Sequence, residues 1–247
     1  VYDRYLPLVD RVGARSEFSD VIWELHGELG TSHAYEMGGD YRESPIYAQG
    51  FLGADYVWSD RDESWVVSRI VRGDSWDSKY GSPLEAPGVN IKEGDRIISV
   101  NGRRARKHRS PYELLMNTAG TEVQITVVPK EGGEGRTVAL RTLRNERPVR
   151  YREWVEMNRQ RVHEATGGKV GYVHVPNMGP LGYSEFHRGF LSEVGRGALI
   201  VDVRYNGGGH VSQLILEKLA RKRIGYGLAR YGMPEPYPMY SIAGPIV

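Results

Sequence analysis

Residues 198–215 read ALIVDVRYNGGGHVSQLI, and the order of residue types in that run decides the fold class. Residues 198–203 are apolar almost to their C-terminal end, the pattern of a parallel strand covered on both faces. The turn formers Asn206, Gly207, Gly208 and Gly209 follow, and then a helix expected over about 210–223. Its apolar stripe is Val211, Leu214, Ile215 and Leu219. Upstream, 169–175 (KVGYVHV) reads as another strand and 183–194 as a helix, after a charged, amphipathic lead-in at 151–160. Strand, helix, strand, glycine turn, helix predicts an α/β arrangement with parallel pairing. Downstream, Gly244-Pro245-Ile246-Val247 reads as the beginning of a buried strand, and the chain starts at Val1 without methionine. Both ends are those expected of a piece of a longer protein.

The middle of the chain has a different texture. Residues 65–71 and 96–100 read as strands, the second closed by an Asn101-Gly102 turn. Ser110-Pro111 opens a helix with Tyr112, Leu115 and Met116 on its apolar face. Two further strands, 122–128 and 136–143, flank the Gly-rich 131–135. Pro87-Gly88-Val89, then Lys92-Glu93-Gly94-Asp95-Arg96-Ile97, then Val100-Asn101-Gly102 and a helix is similar to a PDZ domain of the bacterial protease-associated kind. That resemblance implies an edge-strand groove that captures an extended peptide by strand addition. Three segments follow: 1–47, helical, carrying Ser32 and His33; 48–143, β-rich and PDZ-like; and 144–247, α/β.

Composition narrows the function classes. Thirty-three Lys and Arg against 31 Asp and Glu leave a net charge of +2, too weak to imply a nucleic-acid or membrane partner. The basic cluster at 103–109 follows a turn, lacks interleaved aromatics and reads as a solvated loop. No apolar run approaches the roughly 20 residues of a membrane-spanning helix. With no cysteine there is no thiolate chemistry and no disulfide. His163-Glu164 lacks a second histidine at zincin spacing, so no metal site and no cofactor is expected.

Two places carry candidate chemistry. Phe18, Val21, Ile22, Leu25 and Leu29 fall at helical spacing, with Ser16 or Ser19 as N-cap and Gly30 as stop. The chain leaves that helix into Thr31-Ser32-His33, so both polar side chains sit on a connection positioned by a helix. Ser32 is placed to hold the tautomer of His33, or simply to form the turn. At the other place, N–H groups of the glycine turn face outward at a helix N-terminus. The lack of Gly-Lys-Ser/Thr excludes a P-loop, and there is no G-x-G-x-x-G run. A phosphate, a tetrahedral oxyanion, or only tight helix–sheet packing remain compatible with it.

Taken together, residues 30–39 (GTSHAYEMGG), 202–214 (DVRYNGGGHVSQL) and Arg223-Ile224-Gly225-Tyr226, with a PDZ-like domain between, resemble the tricorn-type serine peptidases. The resemblance covers essentially the whole chain. It implies a crotonase-like α/β peptidase core, partial here and interrupted by the PDZ-like domain. It further implies a cytoplasmic, hexameric serine endo- or oligopeptidase that trims peptides downstream of the proteasome, with no cofactor. In that scheme His33 is the general base, Ser32 orients it, and Gly209, helped by Gly208, stabilises the oxyanion, so that His33 and the glycines flank one cleft. The family's nucleophilic serine and a glutamate that completes its tetrad are expected beyond Val247, leaving these residues inactive alone. Gly227 stands where the family carries an acidic residue associated with a basic P1 preference. Two other readings compete: an inert scaffold that binds peptides through its PDZ groove, and a processing peptidase with a Ser/Lys pair. The sequence just beyond 247 and a His33→Ala variant separate them.

Overall fold

The computed structural model describes residues 1–40, 45–73 and 80–247. The chain divides into two compact units, 1–47 and 48–247, each treated by itself. The first contains helices α1 (Tyr2–Val9) and α2 (Arg15–Gly27). Neither Ser16 nor Ser19 caps α2. The N-cap is Ala14, and Glu17 reaches back to the N–H groups of Gly13 (2.7 Å) and Ala14 (3.2 Å), satisfying donors that a helix start leaves open. Ser19 lies one turn inside the helix and is buried. Gly30 takes a left-handed conformation (φ +62°) three residues after the helix ends.

The second unit opens with an antiparallel sheet of β1 (Ala54–Ser59), β2 (Ser64–Ile70), β3 (Arg96–Val100), β4 (Arg103–Arg104), β5 (Glu122–Val128) and β6 (Arg136–Arg141). Its order is β1-β2-β3-β5-β6, with β4 hairpinned onto β3. Asn101 and Gly102 both have positive φ, as a two-residue hairpin of this twist requires. The four-residue helix α3 (Pro111–Leu114) is capped by Ser110, whose Oγ accepts from the N–H of Glu113. Its buried face is Pro111, Leu114 and Leu115, while Met116, expected inside, is exposed. Leu52, Val67, Leu84, Ile97, Leu115 and Ile125 centre the core. Strand β1, which the sequence reading passed over, is the edge of the sheet. Its Ala54 carbonyl already accepts from Tyr112 Oη (3.0 Å) and Arg150 (3.3 Å), so this end of the edge is occupied by the protein itself.

The charged lead-in is a full helix, α4 (Arg147–Thr166), ended by Gly167 in the left-handed region. It has little apolar face, and its packing is made of ion pairs. Arg150 meets Asp55, Glu153 meets Arg69, Arg152 grips Glu185, and both Arg159 and His163 meet Glu193. Glu193 is almost wholly buried and also receives Arg196, so two guanidinium groups compensate its charge while His163 adds a third polar contact. Helix α4 therefore joins the antiparallel sheet to the α/β part by polar contacts.

In that part β7 (Val170–His174) and β8 (Ala198–Asp202) pair in parallel through α5 (Pro180–Glu193). Phe186 and Phe190 of α5 stack at 5.1 Å and form a core with Val173, Val175, Leu199 and Ile215. The C-terminal run extends the sheet, since Ile246 bridges Leu199 in parallel and Val201 N–H donates to Val247 O (2.7 Å). Pairing there agrees with the strand reading, but Ile246 and Val247 are exposed. Strand β8 is likewise less covered than its composition suggests. Leu199 is buried and Ile200 and Val201 are half-buried, because α4 and α5 both pack on β7. Helix α6 (Ser212–Leu219) is shorter than expected at both ends, and only Ile215 of its stripe is buried. A short hairpin, β9 (Gly225–Gly227) with β10 (Glu235–Tyr237), follows.

Candidate active site

In the first unit the chain leaves α2 through Gly30 and presents Ser32 and His33 side by side, Ser32 Oγ lying 3.0 Å from His33 Nδ1. Both side chains are exposed. The ring of His33 also stands edge-on to Tyr35 (6.2 Å), and Tyr35 to Trp23 of α2 (6.4 Å). The stretch is tied back by Glu36, which pairs with Arg15 (2.6 Å) and accepts from Ser19 Oγ (3.1 Å). Thus Ser19, expected at a helix end, anchors the histidine-bearing connection to the helix.

In the second unit the glycine turn is held on nearly every side. Asn206 Nδ2 donates to Val175 O (2.8 Å) and its Oδ1 accepts from Gly208 N–H (2.8 Å). Gly207 N–H donates to Pro176 O (3.0 Å), Met178 N–H to Gly208 O (2.7 Å) and Val211 N–H to Met178 O (2.8 Å). The turn thereby lies against the strand-like run after β7, and Gly209 bridges Met178 in parallel. Gly209 has φ +136°, and a Cβ there would meet Met178 O at 2.2 Å, so only glycine fits. Its N–H finds no acceptor among the described residues, and the next helix begins three residues later, at Ser212. The N–H of Gly208, expected to assist, is already committed to Asn206.

Behind the turn is a polar cluster that the sequence reading did not single out. Asp202, buried at the end of β8, accepts from Arg204 N–H (2.9 Å), from the Arg204 guanidinium (2.5–3.0 Å) and from Tyr172 Oη (2.6 Å). Burial alone would raise the Asp202 pKa, but Arg204 and Tyr172 outweigh it and hold the carboxyl well below the usual carboxylate range. Burial and Asp202 together push the Tyr172 phenol up. His174, buried at the end of β7, has Nε2 at 2.8 Å from Arg204 O and Nδ1 at 3.0 Å from Tyr151 Oη on α4. Trp154 packs edge-on against His174 (4.8 Å) and lies under the Arg204 guanidinium (5.3 Å). The available signal was positional, since site residues of parallel sheets gather at the carboxyl ends of strands, where His174 and Asp202 both lie.

Of the expected site residues, Ser32 and His33 are brought together in the first unit, and Gly208 and Gly209 form one turn in the second. Gly227 lies in β9 opposite Glu235. Among the described residues no group of side chains has the make-up of a metal site, and no helix is long and apolar enough to cross a membrane.

Comparison with known proteins gives three family matches: the tricorn protease C1 domain over residues 1–27, the tricorn protease PDZ domain over 50–145, and peptidase family S41 over 169–243. Tricorn protease homolog 1 of Streptomyces coelicolor is 44% identical over 247 residues, which cover 100% of this chain and 23% of that protein. Tricorn protease of Thermoplasma volcanium is 41% identical over 247 residues, 100% of this chain and 24% of its own length. The crystal structure of the tricorn protease superposes with a TM-score of 0.88 at 40% identity, covering 99% of this chain and 24% of that one. The chain spans about a quarter of the length of the curated relatives it matches.

Proposed function

The chain belongs, along its whole length, to the tricorn protease family, and from that premise we propose that it is the part of a serine peptidase that supplies the general base and the oxyanion donor. The observation that carries the reading is the Gly209 N–H, left without an acceptor among the described residues in a turn whose other N–H groups are tied down. A donor fixed before the reaction, at glycines that admit close approach, suits an oxygen that gains charge only in the transition state.

His33 acts as the base. With Nδ1–H donating to Ser32 Oγ, its Nε2 lone pair is free to take the proton of a serine hydroxyl. The serine oxygen bonds to the scissile carbonyl carbon, and the carbonyl oxygen becomes an oxyanion that accepts from Gly209. Collapse expels the amine, which takes the proton from His33. Water, deprotonated by His33 in turn, releases the acyl group and restores the serine. The nucleophile and a carboxylate that completes the tetrad are supplied from outside these 247 residues, so the residues described are inactive alone. The same reading includes a crotonase-like core, a hexameric assembly and oligopeptide trimming downstream of the proteasome in the cytoplasm, as the motif resemblance implies. Gly227 offers no carboxylate of its own, which favours a weak preference for basic P1 residues. Fluorogenic peptides with Lys, Arg, Leu or Phe at P1 test that, and a strong Lys/Arg preference overturns it.

The decisive experiment uses the full-length protein. His33→Ala should abolish peptide hydrolysis, whereas near-wild-type turnover would remove His33 from the mechanism and favour a Ser/Lys pair.

A further inference from the structure

We infer that His174 is a positioning residue for the oxyanion turn, acting through the carbonyl of Arg204 and itself held by Tyr151. The inference rests on the assignment of Gly209 as oxyanion donor. A carbonyl oxygen only accepts, so the 2.8 Å contact with Arg204 O requires the proton of His174 to be on Nε2. Nδ1 is then an acceptor, and the Tyr151 hydroxyl at 3.0 Å donates to it. One tautomer and one ring orientation satisfy both contacts. Burial and the nearby Glu185 carboxylate push the Tyr151 phenol up, so this donor stays protonated.

The anchored residue is the one from which strain propagates. Immediately after Arg204, Tyr205 takes φ +60°, a left-handed conformation that a residue with a side chain adopts only when its neighbours impose it. Tyr205 is flanked by fixed points: on one side Arg204, held by His174 and Asp202, and on the other Asn206, held by Val175 O and Gly208 N–H. Its own side chain is 87% exposed, and packing of that side chain alone does not explain its backbone. If the hold on Arg204 O is released, residue 205 is free to relax toward the common region. The turn then shifts with it, and the unpaired N–H of Gly209 moves off its line. Helix α4, which supplies Tyr151 and Trp154, thereby fixes the turn from outside the sheet.

The test uses full-length His174→Phe, His174→Gln and Tyr151→Phe with wild type. kcat and KM are measured on a short fluorogenic peptide, together with Ki for a peptide trifluoromethyl ketone, whose serine adduct carries an oxyanion. Phe fills the ring volume without an N–H, whereas the Gln amide can still donate to Arg204 O. His174→Phe should lower kcat about 10- to 100-fold, leave KM within about twofold and raise Ki by the same factor as kcat falls, as expected for a sub-ångström to 1 Å misplacement. His174→Gln should stay within about threefold of wild type, and Tyr151→Phe should lower kcat and raise Ki by about 3- to 10-fold. Unchanged Ki in a folded His174→Phe, or a Gln variant as impaired as Phe, overturns the positioning role. Should His174→Phe not fold, Tyr151→Phe decides alone, and an unaltered Ki there is equally fatal. If wild type binds the ketone no better than the parent peptide, the Gly209 assignment itself fails, an outcome separable from the variant comparison.

Discussion

The turn at 206–209 is tied through three backbone hydrogen bonds and both ends of the Asn206 amide, and rests on a strand-like run packed over a hydrophobic core. The connection at 31–36 is exposed and held by one carboxylate, Glu36, with edge contacts among three aromatic rings. The contrast fits the roles proposed for the two groups. An oxyanion donor gains from being immobile, because any reorganisation during the reaction subtracts from the stabilisation it gives. A base that receives and returns a proton needs exposure to substrate and water, and its orientation is set by one hydrogen bond, here to Ser32. One half of the chemistry is therefore built into the packing, while the other is built by local chain geometry.

The largest expected effect breaks that comparison from the side of the base. In the full-length protein His33→Ala should lower kcat by about 10⁴-fold or more, as removal of a general base from a serine-peptidase site does. Its unfolding should stay close to that of wild type, because the exposed ring makes a single edge contact, with Tyr35. A large loss of stability instead would show that the histidine is part of the scaffold.

The glycines sharpen the comparison within the turn. Gly209→Ala meets both a left-handed backbone (φ +136°) and Met178 O at 2.2 Å, and should destabilise the protein by about 1–3 kcal/mol from strain alone. Gly208→Ala has φ +78° but open space, and should cost about 1–2 kcal/mol, as should Gly30→Ala at φ +62° in the histidine connection. Urea titrations give the order, and equal costs at Gly208 and Gly209 would mean the Met178 contact is soft.

Asp202 gives a pH signature to the rigid side. Its folded pKa lies below the roughly 3.9 of an unfolded aspartate, so its contribution is present above about pH 4 and is lost as pH falls through the folded value. Asp202→Asn should therefore cost about 1–2 kcal/mol near pH 7, the lower part of the range for hydrogen bonds to charged groups because Arg204 is exposed. The difference from wild type should shrink in acid, and a difference constant down to pH 2 would refute the charge-based hold. The smallest effect belongs to the connection that carries His33: Glu36→Gln should cost less than about 1 kcal/mol, yet speed proteolytic cleavage within 31–39. Unchanged cleavage would mean the Arg15 pair does not order the connection.

Local rules carried much of this fold into the sequence. Strands 96–100 and 122–128 and the parallel pair at 170–174 and 198–202 follow from apolar runs punctuated by Asn-Gly and Gly turns. The 20-residue α4 was legible only as a charged lead-in, since its packing uses ion pairs and leaves no apolar stripe to count. The pattern does not single out β1, because Tyr56, Val57 and Trp58 run consecutively without alternation beside a turn-rich neighbourhood. Helix α6 begins later than residue 210 because the Gly209–Met178 pairing holds the chain before it, and it ends at Leu219, the last residue of its own apolar stripe.

By itself the sequence determined the element types, the parallel pairing, the glycine turn and the adjacency of Ser32 to His33, since each depends on residues near one another along the chain. Only the tertiary structure decided that Gly208 is spent on Asn206 while Gly209 keeps a free N–H, and that His174 and Tyr151 hold Arg204. The Tyr151–His174 and His174–Arg204 contacts span 23 and 30 positions of chain, and the Asn206 amide that takes the Gly208 N–H two residues on is itself anchored to Val175 O, 31 positions away, so which donor reaches which acceptor is settled by packing that no local pattern encodes.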